Sequence, residues 1–283
     1  MVYEAEINRS NPACFIFLLD QSGSMAEGWN GDQNRKKSDE LANIINRLLQ
    51  NLSIKCAKSD GIRDYFHVGV IGYNNDTANY YIGSAFSNDL SEKNLIPISE
   101  IANNPLRIEE RKKKIDDGIG GIIEQNIKVP IWIEPVASGG TPMCEAFKYA
   151  RDIASDWVGE HPMAYPPIII NITDGEANDG DPSRDAEEIK EISSDDGNAL
   201  LFNVHISSTK SQPVMYPDTE DNLPDPYAQM LFNMSSILPP KMQDSARQHE
   251  YIISENSRGY GFNADIISLI EFLDIGTRPS NLR

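Results

Sequence analysis

Phe15-Ile-Phe-Leu-Leu-Asp-Gln-Ser-Gly-Ser-Met25 joins an apolar run to a turn that carries one carboxylate and two hydroxyls. The run from Cys14 to Leu19 is short and uninterrupted, the pattern of a strand buried on both faces of a parallel sheet. Its C-terminal end delivers Asp20, Ser22 and Ser24 to the edge where open α/β sheets collect functional groups. Gly23 lets the chain turn sharply enough for these alternate side chains to surround one point. Such oxygens suit a hard cation such as Mg2+, although Asp-x-Ser-x-Ser also occurs in ordinary Ser-rich turns and helix caps.

Two later segments supply matching chemistry. Ser138-Gly-Gly-Thr-Pro-Met143 is a glycine-rich loop leading into a helix, with Pro142 suited to the first helical position and Thr141 to the cap or to a metal. Ile168-Ile-Ile-Asn-Ile-Thr-Asp-Gly175 repeats the first pattern, a buried strand that ends in the carboxylate of Asp174 and a glycine turn.

The ordered set Asp-x-Ser-x-Ser, Gly-Gly-Thr and a strand ending Thr-Asp-Gly resembles the von Willebrand factor A domain with its metal-ion-dependent adhesion site. The resemblance spans about Ala13 to Leu273 and implies metal-site roles for Asp20, Ser22, Ser24, Thr141 and Asp174. It implies that Ser22 and Ser24 coordinate directly, that Thr141 does so directly or through water, and that Asp20 and Asp174 hold waters or the ion. It leaves one position for an Asp or Glu of a protein partner. Mg2+ is the implied ion, with Mn2+ and Ca2+ as alternatives. Two carboxylates neutralise a divalent ion while hydroxyls add no charge, which leaves the ion able to attract an anionic ligand.

The chain of 283 residues has 40% hydrophobic content, enough for a sizeable core. We read it as a single domain over 1–283 with a core at about 13–273, an elaboration at 87–128 and a long loop at 207–226. A formal charge of −18 argues against binding nucleic acid or an anionic membrane surface. The basic island Arg107 to Lys114 is read as a solvated helix or loop face. Cys14, Cys56 and Cys144 are odd in number, lack metal-ligand spacing and are read as free thiols of a reducing compartment. The start of the sequence lacks the pattern of a signal peptide and no run has the length of a membrane span, so a cytoplasmic protein is expected.

Apolar spacing predicts a helix over Lys36 to Lys58 with Ser38 as a cap, a strand at Phe66 to Tyr73 and an antiparallel partner at Thr77 to Phe86. Lys112 to Gln125 is read as helical and Val129 to Glu134 as extended. Helix over Pro142 to Val158, strand at Ile168, helix from Arg184 and strand from Ala199 then alternate. The expected fold is α/β: a doubly wound, mostly parallel sheet with one antiparallel edge strand and helices on both faces. Tyr227 to Ser235, the strand Tyr260 to Phe262 and a helix over Asn263 to Leu273 complete it.

Glu176, Asp179, Asp181 and Asp185 match no EF-hand spacing and are read as solvated loop carboxylates. The four histidines are read as structural or exposed, with His205 nearest to the rim. Met25, Trp29 and Tyr73 are candidate apolar anchors for a partner, with Met25 as readily placed beneath the turn. A haloacid-dehalogenase-type enzyme needs an Asp where Ser22 stands, and neither a Gly-x-Ser-x-Gly elbow nor a phosphate-binding loop is present. The leading expectation is therefore a metal-dependent protein-binding module, with a metal-dependent hydrolase or phosphatase and a scaffold with a structural metal as alternatives. The chain also looks like bacterial stand-alone A domains of the tellurite-resistance type, which implies a stress or defence adaptor with protein phosphatase 2C or Ser/Thr kinase partners.

Overall fold

Strand β1, Ala13–Asp20, is buried at every position and forms the centre of the sheet. Its side chains alternate between two cores: Phe15, Phe17 and Leu19 face one side, and Cys14, Ile16 and Leu18 face the other. A continuous apolar run is thus the physical requirement of a strand covered on both faces. The computed structural model describes residues 3–116, 122–208, 210–264, 268 and 271–272.

Parallel to β1 on one side runs β2, Phe66–Asn75, which turns back antiparallel into β3, Tyr80–Ser84. The two-residue strand β4, Ile96–Pro97, pairs antiparallel with the start of β2. Next come β5, Arg107–Asp116, and β6, Ile122–Ile131, which pair only with each other as an antiparallel ribbon. On the other side of β1 lie β7, Ile168–Thr173, then β8, Leu200–His205. The short β9, Val214–Met215, caps that edge by pairing antiparallel with β10, Tyr260–Phe262, which is itself parallel to β8. The five central strands are therefore parallel, as expected of a doubly wound sheet, and the expected antiparallel edge strand is β3.

Helix α1, Lys37–Cys56, sends Leu41, Ile44, Ile45, Leu48, Leu49 and Leu52 into the first core. α2, Ile98–Asn103, packs on the same side. α3, Met143–Glu160, α4, Ser183–Lys190, and α5, Pro226–Met234, cover the opposite face. α6, Pro240–Gln248, which we did not anticipate, returns to the first face through Met242 and Ala246. Helices thus cover both faces. Among the described residues no helix is long and apolar enough to cross a membrane.

The structure corrects several local expectations. The described parts of 112–125 are extended rather than helical, and the basic island Arg107 to Lys114 lies on strand β5. Ser38 is not the cap of α1; that position belongs to Lys36. The helix expected over Asn263 to Leu273 falls largely outside the described residues.

One polar chain crosses the apolar interior. Tyr73 donates its hydroxyl to Asn171 Oδ1 at 2.9 Å, Asn171 Nδ2 donates to Asn203 Oδ1 at 3.0 Å, and Asn203 Nδ2 donates to Ser235 Oγ at 3.0 Å. Asn171 and Asn203 are register partners on β7 and β8 and both are fully buried. Buried amides are tolerated only when their donors and acceptors are satisfied in this way.

Candidate functional site

Adjacent strands β1 and β7 end side by side, which brings Asp20 and Asp174 to the same edge of the sheet. Asp20 is 1% exposed. Its Oδ1 accepts the Ser22 backbone N–H at 2.8 Å, and its Oδ2 accepts the Thr173 hydroxyl at 2.7 Å. The first bond holds the turn that carries Ser22 and Ser24; the second ties β1 to the last residue of β7. Ser22 Oγ and Ser24 Oγ lie 3.0 Å apart, and Ser24 Oγ donates to Asp174 Oδ1 at 2.8 Å. Ser22, Ser24 and Asp174 thus form one continuous oxygen cluster, with Asp20 holding the turn beneath it.

The loop bearing Thr141 is fastened to the same turn by its backbone. Ser138 N–H donates to Gln21 O at 2.7 Å and Gly23 N–H donates to Gly139 O at 2.8 Å. Gly139 has φ +72°, and a Cβ there would stand 1.7 Å from Asn75 O, so only glycine permits this approach. Thr141 is buried beneath the loop, and its carbonyl accepts the Asn178 N–H at 3.0 Å. It does not cap α3. That helix begins after Pro142, and its free Cys144 and Glu145 N–H groups donate to the carboxylate of Asp179 at 3.1 and 3.0 Å. Asp179 is therefore a helix-terminal anchor rather than a solvated loop carboxylate.

Electrostatics concentrate at Asp20. Burial, and after it the nearby Asp174 carboxylate, push its pKa up to about 6 against the bonds from Ser22 and Thr173. Two carboxylates held this close at neutral pH favour a cation between or beside them. The protein already provides one. Lys37, at the start of α1, buries its ammonium and donates to Asp174 Oδ2 at 2.8 Å and to Glu27 Oε2 at 3.2 Å. Lys37, Thr173 and Asp179 were not singled out as site residues in the sequence. Thr173 was signalled by its place before Asp174; Lys37 carried no local signal.

Trp29 and Tyr73, expected at the rim, prove to be core, and Met25 takes the place beneath the turn that was its other reading. Met25, Trp29 and Tyr73 are all buried and present no apolar anchor to a partner. His205 is buried at the end of β8, where burial lowers its pKa and the ring meets Phe262 edge-on at 5.1 Å. Among the described residues no three His, Cys, Asp or Glu side chains converge as a metal cluster. The oxygen set at this edge draws instead on two carboxylates and hydroxyls, which is the donor chemistry of hard cations.

Among solved structures, the chain is similar to the ArnB paralog VWA2 of Sulfolobus acidocaldarius, at 14% identity and a TM-score of 0.36, over 69% of this chain and 35% of that one. It is similar to the vWF domain of the type V pili tip protein Mfa5 of Porphyromonas gingivalis, at 16% identity and a TM-score of 0.33, over 59% and 39%. It is also similar to the PilB minor pilin of Streptococcus sanguinis, at 12% identity and a TM-score of 0.36, over 70% and 51%. The aligned parts are about a third to a half of those chains. No family model and no curated protein matches the sequence. Likeness this remote carries no weight for function; the residues of the site do.

Proposed function

We propose that this chain is a von Willebrand factor A-type module that binds a protein partner through a divalent ion held by Asp20, Ser22, Ser24, Thr141 and Asp174. The observation that carries the reading is the hydrogen-bonded contact of Ser22, Ser24 and Asp174 above a buried Asp20 at the ends of two adjacent parallel strands. When bound, Mg2+ supplies a Lewis-acidic position that an Asp or Glu of the partner completes. Ser22 and Ser24 present uncharged oxygens, Asp20 fixes their turn, and the backbone bonds from Gly23 and Ser138 keep the Thr141 loop against it. Asn178 N–H donates to Thr141 O and the Ser208 hydroxyl to Glu27, so the acidic loops that begin around these residues, 178–185 and 207–225, are the segments that select the partner by charge and shape in this reading. A cytoplasmic stress or defence adaptor acting with a phosphatase 2C-type enzyme or a Ser/Thr kinase is the cellular setting consistent with the resemblance.

The test is direct. Mn2+ titrated into chelator-treated protein should bind at one site, and Ser22→Ala/Ser24→Ala should abolish that binding while the far-UV circular dichroism stays the same. Partners retained from lysate in Mg2+ should be lost both in EDTA and with the double variant. Partners that ignore both changes would refute metal-bridged recognition. Turnover of a phosphoester substrate that is lost in Asp20→Ala would favour the hydrolase instead.

A further inference from the structure

We infer that Lys37 is a built-in counter-cation of this site, which holds Asp174 when no divalent ion is bound and weakens the hold on that ion when one arrives. The inference rests on the metal-site reading above and extends it to a residue outside the five ligands.

Lysine is rarely buried unless paired, and here the Lys37 side chain is only 3% exposed. Its backbone N–H donates to Glu27 O at 3.0 Å, which fixes where the side chain enters. The ammonium then meets Asp174 Oδ2 at 2.8 Å, Glu27 Oε2 at 3.2 Å and Ser24 O at 3.5 Å. All three partners belong to the turn after β1 or to the end of β7. The other oxygen of Asp174 accepts from Ser24, so one carboxylate is shared between a candidate ligand hydroxyl and a fixed positive charge.

The consequence is a matter of charge. Asp20 and Asp174 alone would cancel a divalent ion and leave a neutral site. With Lys37 fixed beside Asp174, the loaded site keeps one positive charge and so attracts a partner carboxylate more strongly. The same charge repels the divalent ion itself and competes with it for Asp174. Glu27, whose side chain is 58% exposed at the rim, partly offsets Lys37 and tunes the effect.

Three variants separate charge from packing, with Mn2+ binding to the full chain followed by isothermal titration and by the Mn2+ electron paramagnetic resonance signal. Lys37→Met should bind Mn2+ about tenfold more tightly. Lys37→Arg, which keeps the charge, should stay close to wild type. Glu27→Gln, which leaves Lys37 less neutralised, should bind more weakly. Melting without metal should show Lys37→Met less stable than wild type and more strongly rescued by Mn2+. If wild type binds Mn2+ and Lys37→Met binds it equally or less well, the counter-cation role is overturned while the metal site stands. If neither wild type nor any variant binds Mn2+, the metal site falls and this role with it. Should Lys37→Met fail to fold, wild-type affinity in Glu27→Gln overturns the inference.

Discussion

Asn171 sits in a strand whose other residues are four isoleucines and Thr173, and its amide joins Tyr73 on β2 to Asn203 on β8. Replacing it with leucine keeps the branching but takes from the Asn203 carbonyl oxygen its Asn171 donor, while the Tyr73 hydroxyl retains only its bond with Thr173. A buried orphan costs about 1–3 kcal/mol, so Asn171→Leu should lower unfolding stability by about 1–3 kcal/mol in urea titration. An unchanged midpoint would show that the ladder adds nothing. Two imidazoles, His67 half-buried and His205 buried, make a second prediction at this scale. Burial lowers the pKa of His67, which meets Trp157 edge-on at 4.9 Å, and of His205. The unfolded chain then takes up protons first as pH falls through about 6.5, so stability present above that value is lost on acidification toward the folded-state pKa. Asp20 has the opposite sign: its pKa is raised to about 6, so its protonation below that value favours the folded state. The measurement is therefore a difference. Between pH 7 and 5 the melting temperature of His67→Phe should fall less than that of wild type, and parallel curves would remove His67 from the account.

The loops that meet at the sheet edge depend on two element-level contacts. Asp179 receives the first N–H groups of α3, and Asp179→Ala should cost about 1–2 kcal/mol, the usual worth of a helix N-terminal carboxylate acceptor. Gly139→Ala should be more severe, since a Cβ would overlap Asn75 O; the loop carrying Thr141 must then leave the Gly23 turn. Mn2+ titration checks this, and undiminished affinity in Gly139→Ala would separate that loop from the site. At this scale the sequence was legible wherever burial imposed a pattern. β1, β7 and α1 lie between two cores or against one, so their apolar spacing is forced, and their boundaries agree to within a few residues with those read from the spacing alone. The ribbon β5–β6 was illegible for the converse reason. Arg107 to Lys114 carries charge at both parities, Arg107 to Lys112 mostly meet water, and the backbone ladder between the strands, not a core, holds the ribbon, with exposed pairs such as Lys112 with Glu124 at 2.9 Å across it. The sequence reads as extended only from Val129, because the neighbouring charges mask the alternation before it. The same logic divides the site. Asp20, Ser22 and Ser24 are close in sequence and Asp174 ends an evident strand, whereas Lys37 reaches Asp174 only through the path of the turn before α1, which no periodicity encodes.

For the whole molecule the governing quantity is charge. With 43 acidic against 25 basic side chains, the net −18 makes the folded state repel itself. The scattered surface ion pairs, such as Arg184 with Glu188, contribute little against this. Raising NaCl from about 10 to 150 mM shortens the screening length from about 30 to about 8 Å, so the melting temperature should rise with salt. Divalent ions would do the same by screening alone, which makes a simple Mg2+ effect uninformative. The comparison has to be made at matched ionic strength. If the oxygen cluster holds the ion, Mg2+ at 100 times its dissociation constant stabilises the folded chain by about 2.7 kcal/mol beyond an equal ionic strength of NaCl. That increment should vanish in Ser22→Ala/Ser24→Ala, while the NaCl response, which belongs to the whole surface, should persist. Equal stabilisation by the two salts in wild type would mean that the excess negative charge, and not a site at the ends of β1 and β7, accounts for the action of the cation.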